Sequence, residues 1–525
     1  SAMAISLLLT QLPQQWHLFL LAGLLLPVFS YLLLMTRRGP EERGLRLPPR
    51  PAGVPVLGNL HQLGPLPHRS LRDLAGRHGP VMLVRLGAAR AVVVSSASAA
   101  RDVMRAHDAD CCSRPASPGP AHLSYGRKSV AFSPYGAYWR GMRRLLAAEL
   151  VGARGVGAAW AARREQVDRL MSALGNAAGP VALDEHVIRV ADGIIGTVAY
   201  GSVYGAEAFA SKYERFQHVL FEGMAMSASF SAEDFFPNAA GRLVDRLVGV
   251  VARRERIFRD LDGFFEEVLD HHLDPARRRS ESGGGGDLVD ALVGLCEEHG
   301  FTTDHVKAVL VDAFLGGIDT SSVTILWAMS ELMRKPRALK TAQEEIRAAV
   351  AGNGSKELPR VQPDDLPKLT YLRMVVKETL RLHPPATLLL PRETLRRVEI
   401  GGYEVPAGTR VLVNAWAIGR EAASWGPDAE EFEPERFEAG GRHGKVDFRG
   451  AHMELVPFGA GRRICPGLAM GVANVEYTLA NMLCGFEWAV PEGEEVSMEE
   501  AGALTFHRKT PLVLLPTPYA PPACE

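Results

Sequence analysis

A mainly α-helical domain with small β-sheets, preceded by one N-terminal transmembrane helix, is the fold the sequence predicts. Three observations carry this. Trp16–Met35 is a run of 20 residues without a formal charge. Seven later stretches repeat their apolar residues at helical spacing, and a single hairpin is the clearest strand signal. The chain has 525 residues, more than one hydrophobic core usually serves, yet no linker divides it, so one large domain behind an anchor is expected. Net charge is −1 with dispersed basic residues, which argues against a nucleic-acid footprint. Six cysteines in so long a chain make no disulfide framework and suit a reducing compartment.

In chain order, Trp16–Met35 spans about 30 Å as a helix, enough to cross a bilayer's hydrocarbon core. Arg37, Arg38, Arg43 and Arg46 follow it and place the rest of the chain in the cytosol. A cleaved signal peptide is the rival reading, but no basic segment precedes the apolar run. Leu47-Pro-Pro-Arg-Pro-Ala-Gly-Val-Pro55 is stiff and extended and reads as a spacer. The expected organisation is an anchor over 1–36, a basic, proline-rich hinge over 37–58 and one domain over 59–525. Val81–Leu86 and Ala91–Ser95, separated by Gly87-Ala-Ala-Arg90, form the hairpin. Helical spacing marks Ser98–His107, Tyr138–Leu150, Glu165–Leu174, Asp184–Tyr200, Leu243–Leu273, Asp304–Arg334 and Ala338–Val350. Ser280–Gly286 is a flexible loop.

Phe458-Gly-Ala-Gly-Arg-Arg-Ile-Cys-Pro-Gly467 is the most constrained stretch. Its glycines allow tight backbone and close approach of a flat ligand, and Pro466 suits the first position of the apolar helix that follows. Cys465 would then sit at a helix N-terminus, where thiolate is favoured. Structural zinc and iron–sulfur clusters need several close cysteines, and Cys465 has no Cys or His neighbour. A lone thiolate suits the axial position of haem iron, against the alternative of a buried free cysteine. Phe458, Gly461, Arg463, Cys465 and Gly467 together resemble the haem-binding signature of the cytochrome P-450 superfamily. The resemblance runs from the proline hinge to the C-terminus and implies that superfamily's mainly α fold.

Asp304–Arg334 would be a helix of about 45 Å, the width of a domain. Its middle, Gly316-Gly-Ile-Asp-Thr-Ser-Ser322, is a cluster of poor helix formers. Thr320 can turn its hydroxyl onto the Gly316 carbonyl and bend the helix, with no side chain at Gly316 or Gly317 to fill the groove. The alternative is an ordinary kink with a helix-packing glycine pair. The segment resembles the superfamily's oxygen-activation motif, which implies that Thr320 donates a hydrogen bond and Asp319 helps relay protons.

Glu378 and Arg381 lie at i, i+3 among apolar residues, so the pair reads as buried and in need of a third partner, for which Arg436 is the candidate. They match Glu-x-x-Arg and Pro-Glu-Arg-Phe elements with a structural role. Trp139 and Arg143 lie at i, i+4. With Arg392 and Arg463 they are, by resemblance, candidates to hold haem propionates. Arg140, Arg144 and Arg462 are candidates for a face that meets a redox partner.

No phosphate-cradling Gly-x-Gly-x-x-Gly follows a strand, so the chain draws no electrons from a nicotinamide itself. The resemblance implies haem b, O2 as cosubstrate, NADPH acting only through an NADPH-cytochrome reductase, and the endoplasmic reticulum membrane. The segments Asp110–Pro120, Ser229–Asn238, Thr387–Thr394 and Gly502–Thr510 look like the plant members that serve cyanogenic glucoside synthesis, which take an aromatic aldoxime through the nitrile to a cyanohydrin. That places Ser117, Gly316, Gly317, Thr387, Leu388, Leu389 and Phe506 along the substrate. The alternatives are a monooxygenase for another plant metabolite (terpenoid, indole or phenylpropanoid) and a non-catalytic haem-binding membrane protein.

Overall fold

The structure is a computed structural model that describes residues 44–520 apart from 152, 202–203, 205–206, 229–230, 275–286, 352–358 and 503. The expected membrane helix and the loop Ser280–Gly286 lie outside the described residues. The end of the proline hinge lies on the domain: the Leu83 amide donates to the Pro49 carbonyl at 2.9 Å, and Asn59 Nδ2 donates to the Pro51 carbonyl at 3.2 Å.

The elements that position the site are α1 (Pro67–His78), β1 (Val81–Leu86), β2 (Ala89–Val94), α2 (Ala137–Val151), α3 (Leu183–Tyr200), α4 (Val250–Leu273), α5 (Thr303–Gly317), α6 (Asp319–Arg334), α7 (Pro336–Val350), α8 (Thr370–Leu382), β3 (Arg392–Glu393), β4 (Arg410–Val413), α9 (Leu468–Gly485), β5 (Glu500–Gly502) and β6 (Phe506–Arg508). β1 and β2 pair antiparallel from Val81↔Val94 to Leu86↔Ala89. β2 pairs parallel with β4, whose other edge takes β3 antiparallel, so the largest described sheet has four strands in the order β1-β2-β4-β3.

Helices α5 and α6 run through the middle. On one side Trp139, Met142, Leu261, Phe265, Val309 and Phe314 form a core between α2, α4 and α5. On the other Ile325, Met329, Leu332, Leu372, Val375 and Leu479 join α6, α8 and α9. Ser321 through Leu332 are all buried, and the hydroxyls of Ser322, Thr324 and Ser330 are satisfied by carbonyls four residues back. Thr303–Arg334 is long and apolar enough to cross a membrane, but its apolar stretch is 67% buried inside the protein and forms the core. Burial of a side chain as large as Trp327 or Phe314 contributes about 1.5–3 kcal/mol.

Three expected elements are interrupted. Leu243–Leu273 breaks into Ala239–Leu247 and α4 because Gly249 takes φ 80, outside the helical region. Ser98–His107 passes from an α-helix into a π turn at Asp102. Asp304–Arg334 starts at Thr303 and breaks at Ile318, in the cluster of weak helix formers. Leu288–His299, which the spacing did not reveal, is fixed by a capping box between Asp287 and Asp290.

Candidate active site

The cysteine loop is closed by its own backbone. The Cys465 amide donates to the Phe458 carbonyl at 3.0 Å and the Gly459 amide to the Val456 carbonyl at 2.9 Å. Gly459 and Gly461 take φ 65 and φ 67, and a Cβ on Gly461 would come within 2.3 Å of Asp108 Oδ1, so glycine is required there. Helix α9 starts at Leu468, with Gly467 at its N-cap. Cys465 and Pro466 therefore precede the helix and do not form its first turn. A residue before proline is pushed out of the helical region, which keeps Cys465 outside the helix. Electrostatics shift accordingly. Burial pushes the Cys465 thiol upward, opposed by the Gly467 N–H and Arg143, so the helix end alone does not favour thiolate as the sequence suggested. A metal cation bound to the sulfur would favour the thiolate.

Around this loop lies a group of buried arginines. Arg463 donates to the carbonyls of Cys112 at 2.7 Å, Val130 at 3.1 Å and Ser133 at 2.6 Å, and stacks 4.2 Å over the Trp139 ring. Trp139 Nε1 donates to Val130 O at 3.0 Å. Arg143 donates to the Ile464 carbonyl next to Cys465. Arg392 donates to Ala460 O at 2.8 Å and pairs with Asp108 Oδ1 at 3.4 Å. Arg114 was not singled out in the sequence, although it lies in the Asp110–Pro120 segment; it donates to Leu390 O at 2.7 Å and Pro391 O at 2.8 Å. Burial lowers all three of Arg114, Arg392 and Arg463, the last to about 10; neighbouring arginines push Arg114 and Arg463 the same way, whereas Asp108 opposes the shift of Arg392. The opposing carboxylates are few: Asp108, shared with Arg462, and Asp312, which burial pushes up to about 6.

Across α5 and α6, Thr320 Oγ1 donates to the Gly316 carbonyl at 2.5 Å. The two glycines differ. A Cβ on Gly316 would meet nothing within 4 Å, whereas one on Gly317 would strike Ile195 Cδ1 at 2.4 Å. Gly316 thus borders open space in the middle of a buried helix, and Gly317 serves packing against α3, so only the first lines a groove. Asp319 accepts a hydrogen bond from Thr505, which the sequence reading passed over, and burial raises its carboxyl above the ordinary range.

Glu378, Arg381 and Arg436 come together. Arg381 makes a two-pronged bond to Glu378, both contacts at 2.6 Å, with both side chains fully buried. Arg436 reaches Glu378 Oε1 at 3.4 Å. The remaining guanidinium hydrogens of Arg381 go to the carbonyls of Gly419, Ala429 and Glu431.

The expected substrate residues are less concerted. Leu389, at φ 52, brings Cδ1 within 3.8 Å of the position a Gly459 Cβ would take, so it borders the cysteine loop. Thr387 is buried and its hydroxyl has no hydrogen-bond partner. Leu388 packs with Leu74 and Val93. Ser117 is the N-cap of a short helix, Pro118–Leu123. Phe506 packs its ring edge-on against His68 at 4.4 Å, and its neighbour Thr505 is the residue that reaches the central helix. Arg140 lies over the Tyr135 ring and Arg462 is tied to Asp108 at 2.9 Å.

A half-buried cysteine without a Cys or His beside it in its loop, a surplus of buried arginine and a broken central helix suit a haem-thiolate protein, and residues 48–515 match the family model described as Cytochrome P450. The chain belongs to the cytochrome P450 family; it is an oxidoreductase, a haem monooxygenase that uses O2 and electrons supplied by a reductase. It is 60% identical to 4-hydroxyphenylacetaldehyde oxime monooxygenase of Sorghum bicolor over 97% of this chain and 96% of the relative. It is 45% identical to 2-methylbutanal oxime monooxygenase of Manihot esculenta over 97% of this chain and 98% of that one. A zebra fish cytochrome P450 solved with progesterone shares the fold, with TM-score 0.71 and 24% identity over 86% of this chain and 99% of that one.

Proposed function

We propose that this monooxygenase converts an aromatic aldoxime, 4-hydroxyphenylacetaldehyde oxime, through the nitrile to the cyanohydrin 4-hydroxymandelonitrile. The first step loses water, R–CH2–CH=NOH giving R–CH2–C≡N and H2O. The second consumes O2, two electrons and two protons, giving R–CH(OH)–C≡N and a second H2O. The observation that carries this substrate is the 60% identity to the Sorghum bicolor enzyme over nearly the whole chain.

The residues present fit haem b. Cys465, with no Cys, His, Asp or Glu beside it in its loop, would supply the sulfur that holds the iron, and Phe458, Gly461 and Gly467 would shape the loop around the group. Arg143, Arg392, Arg463 and Arg114 with Trp139 would hold the propionates. The support is electrostatic: these cations spend most of their donors on backbone carbonyls and outnumber the carboxylates near them, Asp108 and Asp312, and two propionates would supply the missing charge. The haem supplies, when bound, the iron centre that assists dehydration of the oxime and the oxygen chemistry that hydroxylates carbon. Gly316 leaves room beside Thr320, whose hydroxyl holds a proton at the groove, and Asp319 exchanges protons with it. Thr387, Leu388 and Leu389 border the substrate; the unpartnered Thr387 hydroxyl suits a polar substrate group.

The domain is proposed to sit at the cytosolic face of the endoplasmic reticulum membrane, anchored through 1–36 and the hinge 37–58, and to take electrons from an NADPH-cytochrome reductase. Support comes from the helix Ala239–Leu247, whose end exposes Leu247 by 76% and Val248 by 66% beside Leu243 and Val244, a face that solvent alone does not favour.

The test is to feed 4-hydroxyphenylacetaldehyde oxime to the enzyme with reductase and NADPH. Nitrile and cyanohydrin are expected, and unchanged oxime refutes the substrate. The second reading, an aliphatic aldoxime, is favoured by the Manihot esculenta relative alone; faster turnover of 2-methylbutanal oxime in the same assay would select it.

A further inference from the structure

The hairpin β5–β6 is stitched to α6 at three points. Thr505 Oγ1 donates to Asp319 Oδ2, Trp327 Nε1 donates to the Phe506 carbonyl at 3.2 Å, and Arg508 Nη1 donates to Ser330 Oγ at 2.8 Å. The other strand is held from the far side, where Glu500 pairs with His68 at 3.0 Å and with Arg69. The turn between them is tight: Gly502 takes φ 154, and a Cβ there would lie 2.0 Å from the Thr505 carbonyl. Position 505 is therefore fixed in space by backbone, by both strands and by two further bonds to the same helix. Thr505 itself is 8% exposed.

Asp319 stands at the start of α6, directly before Thr320, and Thr505 is its one side-chain hydrogen-bond partner among the described residues. One carboxylate oxygen is thus held and the other has no hydrogen-bond partner among the described residues. A valine would fill the same volume at 505, so packing alone does not call for a hydroxyl there.

We propose that Thr505 is a positioning residue for this acid: its donated hydroxyl occupies one oxygen of Asp319 and leaves the other to serve the groove beside Gly316 and Thr320. The inference rests on the proposed role of Asp319 and goes beyond it, because it assigns the acid's orientation to a hairpin distant in sequence. It also sets the protonation state. A hydroxyl that donates to a carboxylate favours the charged form, while burial favours the neutral one. His507 of the same hairpin is the titratable group that also favours the charged form. Removal of the donor therefore lets Asp319 keep its proton to higher pH and lets its carboxyl turn.

The experiment uses the full chain with haem and reductase and compares Thr505→Val, which removes the donor at similar volume, Thr505→Ser, which restores it, and Asp319→Asn. Two quantities are measured across pH: product formed per NADPH consumed, and the infrared band of the protonated carboxyl assigned by its loss in Asp319→Asn, which needs no turnover. For Thr505→Val the product yield per NADPH should fall about threefold or more near neutral pH, and the band's midpoint should rise by about one pH unit. Thr505→Ser should recover both. Wild-type values of both in Thr505→Val, with yield lowered in Asp319→Asn, would overturn the inference while leaving the acid's role intact. Unchanged yield in Asp319→Asn would remove that role and the inference with it, whatever Thr505→Val does. Should Thr505→Val fail to bind haem, Thr505→Ala carries the same comparison.

Discussion

Two groups of buried arginines in this molecule have opposite charge balance. In the first, Arg381 and Arg436 share Glu378, and the remaining donors of Arg381 are met by three carbonyls. In the second, Arg114, Arg392 and Arg463 crowd beside the cysteine loop, and among the described residues the carboxyls against them are Asp108 and Asp312, the latter raised by burial to about 6. The first group is complete without a ligand. The second is finished by something anionic. Burial alone marks neither structure nor function; the completeness of the charge pairing separates the two.

Removing one partner should break the complete group hardest. Glu378→Gln leaves Arg381 buried without its carboxylate, while Arg436 keeps Asp428 at 3.0 Å, and should cost about 3–5 kcal/mol, read by thermal or denaturant unfolding of the haem-free protein and by loss of folded holoprotein. Arg463→Ala should behave differently. Without haem the repulsion it relieves offsets part of the loss of its three carbonyl bonds, so unfolding of the haem-free protein should fall by about 1–3 kcal/mol, less than for Glu378→Gln, while haem retention under dialysis falls strongly; a stability loss as large as that of Glu378→Gln with haem retained would erase the distinction.

The glycine pair sharpens the same separation on the central helix. Gly317→Ala drives a methyl group into Ile195 and should destabilise by about 1–3 kcal/mol. Gly316→Ala meets no atom, so its stability should hold, but the methyl narrows the groove at Thr320 and should lower product formed per NADPH. The smallest effect concerns Glu500, whose carboxyl is held down to about 2 by its bonds to His68 and Arg69 against the opposing effect of burial. A carboxyl with a lowered folded-state pKa stabilises above its unfolded value and loses that contribution as pH falls. The difference in Tm between wild type and Glu500→Gln should therefore be present at pH 7 and shrink as pH drops from the ordinary value of 4.5 toward 2.

Much of the site could be read from the chain because its chemistry is local. Cys465, the glycines around it, the Thr320 hydrogen bond to Gly316 and the Glu378–Arg381 pair each follow from spacing within one turn or loop. What escaped depends on distant contacts. Thr505 meets Asp319, Arg114 meets Leu390 and Pro391, and Gly317 meets Ile195, and no local pattern encodes such pairs. Helix α9 starts at Leu468, two residues beyond Pro466, and no local pattern marks that shift. The fold class was legible from periodicity, while the breaks at Gly249 and Ile318 came from backbone preferences that periodicity does not register.

The central claim is that Cys465 sulfur completes a haem site that the uncompensated arginines encircle. The most direct measurement is the carbon monoxide difference spectrum of the reduced protein, taken for wild type and for Cys465→His. The strongly red-shifted absorption band of a thiolate-bound haem is expected in the first and its loss, with haem still bound, in the second. The same band in both proteins, or no haem band in wild type, would contradict it.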